Sequence, residues 1–173
     1  MDRELQKAIE DGNTAKVAEL LEADADVNAK TDDGATALLT AACEGRYDIA
    51  ALLIGHGAKV NVKNRQGVTP LMLTASLEAT GLLRLLLEAG ADIRARDAHR
   101  RTALFYAAEM GRTEAARLLL AHGIDPSVTN RRGRTALQVT IRDAASELGR
   151  HVHYGPVIAL LRDVEARRGS ARE

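Results

Sequence analysis

The segment TALFYAAEMGRTEAARLLLAHG, residues 102–123, decides the fold because near copies of it recur at a fixed distance along the chain. TALLTAACEGRYDIAALLIGHG occupies residues 36–57, and TPLMLTASLEATGLLRLLLEAG occupies residues 69–90. The threonine that begins the segment recurs every 33 residues, at Thr36, Thr69, Thr102 and Thr135. This period indicates a repeat protein whose units stack on one another and share a continuous core.

Each unit predicts a short helix, a turn, a second helix and an extended finger. The threonine stands where its hydroxyl can cap the first helix, and Gly45 and Gly111 stand where a glycine ends one. The second helix has leucines at helical spacing, as in TEAARLLLAHG at residues 113–123. The following finger, such as GAKVNVKNRQG at residues 57–67, carries turn-forming residues at its tip.

The units resemble ankyrin repeats. The shared motifs are GVTPL at 67–71, the alanine pairs at 41–42 and 107–108, the leucine pairs at 52–53, 85–86 and 118–119, and GAD at 90–92. The resemblance implies an all-α solenoid of about five helix-turn-helix units with short β-hairpin fingers. Its units are expected to span residues 1–30, 31–63, 64–96, 97–129 and 130–168, followed by a flexible tail at 169–173.

Two departures from the repeat pattern carry structural expectations. Glu78 replaces the glycine between the helices of the third unit, which predicts an altered turn around residues 79–81. The last unit has nine extra residues, which we place within TIRDAASELGRHVHYGP at 140–156. There the inner helix is predicted to run to about Leu148, and the outer helix to restart at Pro156. This insertion caps the exposed core or serves as a binding element, and the capping role is favoured because solenoid ends need caps.

Composition excludes several classes of protein. The chain is 46% apolar and 28% charged, as in an ordinary globular domain. Its single cysteine, Cys43, excludes an internal disulfide, and no apolar stretch approaches the ~20 residues of a membrane span. No secretion signal is visible, so a cytoplasmic location is expected.

No motif of catalysis or cofactor binding remains once the repeat glycines are assigned. His151 and His153 form the only local histidine pair, and neither a cysteine nor a carboxylate accompanies them at a metal-ligand spacing. We therefore expect no cofactor, no metal and no enzymatic activity.

Charge is distributed unevenly along a chain whose net charge is zero. The balance is −6 over residues 1–60, +2 over 61–130 and +4 over 131–173. Finger tips and exposed strips of the inner helices form the surface that stacked repeats present to partners. The predicted partner-binding residues are Lys63, Arg65, Gln66, Ser76, Leu77, Arg96, His99, Arg101, Glu109, Met110, Arg131, Arg132 and Arg134.

One finger tip breaks the glycine pattern, because Arg100 stands where the other tips have Gly34, Gly67 and Gly133. The tip position is expected to need a positive φ, which costs a residue with a side chain ~1 kcal/mol or more. Either this tip changes its turn type or tolerates the strain, or Arg100 extends a basic cluster that includes Arg94 and Arg96.

The function expected from the resemblance is non-catalytic binding of a partner protein, with the basic fingers contacting an acidic segment. A structural or self-associating scaffold is the alternative from another class, although a monomer is expected. Nucleic-acid association is a weaker alternative, because exposed aromatic residues for base stacking are scarce and the net charge is zero.

Overall fold

A computed structural model of the chain describes residues 3–31, 34–146 and 153–170. These residues form five helix pairs. The inner helices are α1 (Arg3–Glu10), α3 (Ala37–Cys43), α5 (Pro70–Ala75), α7 (Ala103–Glu109) and α9 (Ala136–Ala144). The outer helices are α2 (Thr14–Glu22), α4 (Tyr47–Gly55), α6 (Thr80–Glu88), α8 (Thr113–Ala121) and α10 (Gly155–Ser170).

The helices pack in the order that a solenoid requires. Each inner helix contacts the inner helix of the next pair, and each outer helix contacts its own inner helix. The repeated alanines and leucines form one continuous buried cluster along the stack, from Leu5 in α1 to Leu161 in α10. Because the inner faces carry alanine, as at Ala41, Ala107 and Ala108, adjacent helices can approach closely.

The inner helices begin as the repeated threonine predicts, with one exception. The hydroxyls of Thr36, Thr69 and Thr135 accept hydrogen bonds from backbone N–H groups of the first helical turn. The hydroxyl of Thr102 makes no such bond and is buried without a partner among the described residues, and the Phe105 N–H donates to the Thr102 carbonyl instead. The fourth unit therefore begins its inner helix differently from its neighbours.

The altered turn predicted for the third unit is present. Gly45 and Gly111 adopt φ near +65°, whereas Glu78, at the same repeat position, is not among the described residues with positive φ. Arg112 of the following unit stabilises this turn. Its Nε donates to the Ser76 carbonyl at 3.0 Å, and its Nη1 lies 2.6 Å from the Glu78 carboxylate.

The fingers differ from the expected β-hairpins in one respect, because the described residues contain no named strand and a single isolated bridge, Lys30 to Thr36. Each finger is instead a turn closed by two backbone bonds. In the fourth finger the Arg100 N–H donates to the Asp97 carbonyl at 2.9 Å, and the Asp97 N–H donates to the Arg101 carbonyl at 3.0 Å. The second, third and fifth fingers repeat the same two bonds.

The last unit corrects two expectations. Helix α9 ends at Ala144 rather than near Leu148, with the Ala145 N–H bonded to the Ile141 carbonyl. Helix α10 runs to Ser170, so residues 169–170 are helical rather than part of a tail, and 171–173 lie outside the described residues.

Helix α10 covers the end of the solenoid. It packs against α8 and α9, and its Val157 and Leu161 side chains are at most 1% exposed. The Tyr154 hydroxyl, just before the helix, donates to the Glu109 carbonyl at 3.0 Å and ties this cap to the end of α7. Most of the inserted segment, residues 147–152, lies outside the described residues, so its own role stays a prediction.

Candidate partner-binding face

Finger tips and inner-helix ends lie on one face of the stack. A cleft between the fourth and fifth fingers shows this directly, because it is lined by tip residues and by residues of two inner helices. His99 and Arg131 contribute from the tips, Glu109 from α7, and Val139 from α9. The expected tip and inner-helix residues are therefore neighbours at the fourth and fifth fingers.

Neighbouring fingers are joined through their backbones at the tips. The Ala98 N–H donates to the Gln66 carbonyl at 2.8 Å, and the Arg131 N–H donates to the His99 carbonyl at 2.9 Å. These bonds are one repeat apart and equivalent. They fix the spacing of the third, fourth and fifth tips, so the side chains there project from a held backbone.

The tip position occupied by Arg100 keeps the turn of its neighbours. Its φ is +64°, against +82° for Gly34, +77° for Gly67 and +70° for Gly133. A changed turn type is thereby excluded, and the fourth finger tolerates a left-handed residue with a side chain. Because the Arg100 side chain is exposed, it adds positive charge to the tip without altering the fold.

Most of the predicted cations on this face are not neutralised within the described part of the chain. Six of them and the neighbouring Arg100, seven residues in all, form no ion pair with any described carboxylate: Lys63, Arg65, Arg96, Arg100, Arg131, Arg132 and Arg134. All except Arg134, which is partly buried, are exposed. We call these seven residues the finger cations.

Arg101 differs from the finger cations because it is held inside a polar network. Its Nε donates to Asp97 Oδ2 at 2.8 Å and its Nη1 to Glu109 Oε2 at 3.1 Å. Its guanidinium also lies 4.7 Å from the centre of the Tyr106 ring and donates to the Tyr106 hydroxyl at 3.1 Å. The Tyr106 hydroxyl in turn donates to Asp97 Oδ2 at 2.9 Å. We call these four residues the Asp97 network.

Asp97 is the centre of this network and also the residue that shapes the finger. Its side chain is 1% exposed, and its Oδ1 accepts from the backbone N–H groups of His99 and Arg101, each at 2.8 Å. Asn64 and Asn130 use their side-chain oxygens in the same way in the third and fifth fingers. The carboxylate therefore adds an ion pair to a turn that an amide forms equally well.

The pKa values in the network follow from burial and from these bonds. Burial of Asp97 raises its pKa, but hydrogen bonds from Arg101 and Tyr106 outweigh it and hold the pKa below its usual range. Burial also raises the pKa of Tyr106, to about 12, because it opposes the phenolate more than nearby Arg101 favours it. Burial, assisted by Asp143, raises the pKa of Glu109 against the lowering influence of Arg101.

The remaining predicted site residues differ in how exposed they are and in whether they also contact the rest of the fold. Met110 is 44% exposed at the end of α7, as expected for a contact residue. Leu77 is only partly exposed and packs over the neighbouring turn, with Cδ1 3.6 Å from the position of a Cβ on Gly45. The Ser76 hydroxyl donates to the Leu73 carbonyl at 2.7 Å. Leu77, Ser76 and Glu109 thus have structural contacts that the sequence did not reveal.

Three lining residues of the cleft were not predicted from the sequence. Asn130 accepts the backbone bonds that shape the fifth finger, while Val139 and Arg142 lie on α9. Comparison of repeat columns could have found Asn130, because its equivalents Asn64 and Asp97 also hold finger tips. The same comparison applies to Arg142, which stands 33 residues after the predicted site residue Glu109.

Other residues singled out in the sequence occupy ordinary positions. Cys43 is an exposed free thiol, and the ring Nδ1 atoms of His56 and His122 each lie 2.9 Å from a carbonyl of their own helix. His151 lies outside the described residues. Within the described ranges, no three His, Cys, Asp or Glu side chains are grouped to hold a metal ion. No helix there has both the length and the apolar character needed to cross a membrane.

The fold and the exposed face define a helical repeat protein of the class that presents finger tips and inner helices to partners. The model of the ankyrin-repeat family matches the chain in three copies, at residues 5–64, 61–130 and 78–151. The chain therefore belongs to the ankyrin-repeat family, as its motifs predicted. A search of the curated proteins gave no match. Members of this family generally act as non-catalytic modules of protein–protein interaction.

Proposed function

We propose that this protein binds a partner protein through the face formed by the finger tips and inner helices, and that the third to fifth fingers contact an acidic segment. The finger cations carry this proposal, since no described carboxylate neutralises them. Their backbones are also held in a fixed spacing by the bonds between neighbouring tips. A held row of exposed cations is complementary to a partner that presents several carboxylates or phosphates.

The proposed role is binding without catalysis, by a chain that is itself monomeric. Exposed large apolar side chains are few among the described residues, namely Tyr47, Met110 and Ile141. A stable self-associating interface is usually rich in such residues at its centre. Light scattering over a range of concentrations tests this part, and a mass that rises towards a dimer contradicts it.

The acidic-segment proposal is tested by neutralising exposed cations and leaving the Asp97 network intact. The variant carries Arg96→Gln, Arg131→Gln and Arg132→Gln, and Arg101 is left unchanged because its loss would disturb the finger itself. The matched control neutralises three cations of the outer helices, Arg84, Arg117 and Arg162, all of which are exposed.

Partners captured from the native cell by crosslinking are identified first, and the affinity of a purified partner is then measured for each variant. Exposed charge pairs contribute up to about 1 kcal/mol each, so the finger variant is expected to bind roughly tenfold or more weakly. The control variant is expected to bind as the wild type does. Equal affinity for all three proteins, or crosslinks confined to the outer helices, would contradict the proposal.

A further inference from the structure

The cleft between the fourth and fifth fingers is lined mainly by polar and charged side chains. It has a volume of about 260 Å³, and seven of its eight lining residues are polar or charged. These residues are His99, Arg101, Glu109, Asn130, Arg131, Arg132, Val139 and Arg142. Four arginines thus line a cavity that the fingers and two inner helices enclose together.

The arginines of the cleft are not equivalent. Arg101 is held by Asp97 and Glu109, and Arg142 is paired with the neighbouring Asp143, whose Oδ1 lies 2.8 Å from the Arg142 Nε. Arg131 and Arg132 have no carboxylate at ion-pair distance among the described residues. The cleft therefore contains two cations whose charge is not compensated there.

The backbone that carries these two cations is fixed independently of their side chains. The Arg131 N–H donates to the His99 carbonyl at 2.9 Å, and the Arg132 N–H donates to Asn130 Oδ1 at 2.9 Å. The Arg101 guanidinium, which also lines the cleft, is fixed by three hydrogen bonds. An anion therefore meets a backbone whose position is set before it binds, and only the exposed side chains of Arg131 and Arg132 are ordered on binding.

We propose that this cleft binds a phosphorylated side chain of the partner protein, with Arg131 and Arg132 as its principal ligands and His99 beside them. The inference rests on the proposed function, and it names the chemical group that the acidic segment brings to the fifth finger. A phosphate monoester carries close to two negative charges and three acceptor oxygens, so it can engage two guanidinium groups at once.

A carboxylate fits the same cleft less well. One carboxylate neutralises one of the two free arginines, and an exposed pair of that kind is weak. The cleft also contains the Glu109 carboxylate, which pairs with Arg101 at 3.1 Å. Its negative charge repels an incoming anion, and an anion that pairs with only one arginine gains little to offset this repulsion. A dianion gains from both free arginines and overcomes that opposition.

The probe is N-acetyl-O-phosphoserine N-methylamide, titrated into the full chain while backbone and arginine side-chain N–H signals are followed by nuclear magnetic resonance. The N-acetyl-glutamate N-methylamide analogue and inorganic phosphate are titrated in parallel. The phosphoserine amide is expected to shift the signals of His99, Arg131 and Arg132 and to bind about fivefold or more tightly than the glutamate analogue. Inorganic phosphate is expected to bind comparably, because it presents the same oxygens.

Arg131→Gln and Arg132→Gln are each expected to weaken phosphoserine binding about threefold or more, whereas Arg84→Gln on α6 is expected to leave it unchanged. Both cleft arginines are exposed and their backbone bonds do not use their side chains, so unchanged signal dispersion checks that the variants fold. Equal binding of the glutamate analogue would overturn the inference. So would shifts that persist in both cleft variants, or a random DNA duplex that binds more tightly than the phosphoserine amide near physiological salt.

The inference and the proposed function fail in different ways. If phosphatase treatment of the purified partner leaves its affinity unchanged while the triple finger variant still weakens it, the phosphate inference is wrong and the acidic-segment proposal stands. If the triple finger variant binds like the wild type, the proposed function itself is wrong.

Discussion

Replacing Asp97 with asparagine tests whether the Asp97 network stabilises the fourth finger. The amide oxygen can keep both backbone bonds that shape the turn, as Asn64 and Asn130 do in neighbouring fingers. Its NH2 group, however, replaces Oδ2, the atom that accepts from the Arg101 Nε at 2.8 Å and the Tyr106 hydroxyl at 2.9 Å. The substitution thus removes the ion pair without removing the turn.

The magnitude follows from how deeply the two partners are buried. Breaking a fully buried ion pair costs about 3–5 kcal/mol because the remaining charge is left uncompensated. Here the Asp97 side chain is 1% exposed but that of Arg101 is 25% exposed, and Arg101 keeps its pair with Glu109. We therefore expect Asp97→Asn to lower the free energy of unfolding by about 2–3 kcal/mol, and Tm by roughly 5–10 °C.

The third finger supplies a compensating variant, because it combines Asn64 with Val68 where the fourth combines Asp97 with Arg101. The triple variant Asp97→Asn/Arg101→Val/Glu109→Ser copies Asn64, Val68 and Ser76 of the third unit. It leaves neither an unpaired cation nor the Glu109 carboxylate that Arg101 also pairs with. Because replacing all partners of an ion-pair network by residues that fit costs little, the triple variant is expected within about 1 kcal/mol of the wild type in urea-induced unfolding.

Acid titration provides a second measurement on the same variant. Because the folded pKa of Asp97 lies below its ordinary value, its contribution is present above the unfolded pKa of about 3.9 and is lost as the pH falls through the folded value. The stability difference between wild type and Asp97→Asn should thus be greatest near neutral pH and should shrink below about pH 4. A constant difference, or a triple variant no more stable than Asp97→Asn, would refute the ion-pair explanation.

Three further predictions concern the finger tips, the network and the cap. Arg100→Gly should raise the free energy of unfolding by about 0.5 kcal/mol, since relief of left-handed strain exceeds the entropy that glycine loses on folding, and a destabilised variant contradicts this. Gly67→Ala should lower the free energy of unfolding more than Gly133→Ala does, because the added Cβ would lie 3.2 Å from a backbone nitrogen of the next finger. Tyr106→Phe should abolish a phenolate transition near pH 12 in ultraviolet absorbance. It should also lessen the loss of stability between about pH 10 and pH 12, because in that range the unfolded phenol ionises while the folded one stays protonated. Leu161→Ala should cost about 2–5 kcal/mol in denaturant unfolding, and a cost below about 1 kcal/mol would mean that α10 does not cap the core.

The sequence predicted the parts of the fold that repeat. Columns of threonine, leucine and glycine at a period of 33 residues located the helices, because each column has the same local role in every unit. The left-handed tip is the clearest case. Three glycines in one column indicated a positive φ, and Arg100 adopts it at +64°. The backbone conformation of a residue can thus be predicted from the equivalent residues of other repeats even when its own type differs from theirs.

What the sequence could not predict lies where units differ or where the repeat is interrupted. The end of α9 at Ala144 lies where the last unit departs from the repeat, so no second copy in the chain predicts it. The Asp97 network joins Asp97, Arg101, Tyr106 and Glu109, and only the distances between these residues reveal that they contact one another. Arg101 illustrates the consequence, since its sequence position suggested a free cation and its contacts make it a structural one.

The cations on this face are therefore of two kinds, those paired with a carboxylate and those without a described ion-pair partner. Charge that is paired inside a unit, as in Arg101, is already compensated by the carboxylates of that unit. Charge that no described carboxylate neutralises, as in Arg131 and Arg132, contributes little to the stability of the fold. It can instead attract the negatively charged groups of the proposed partner. Because the Arg131 N–H donates to the His99 carbonyl, the fourth finger positions the proposed binding residues of the fifth. Substitutions in Asp97 should therefore alter partner affinity indirectly, through the placement of Arg131, as well as stability.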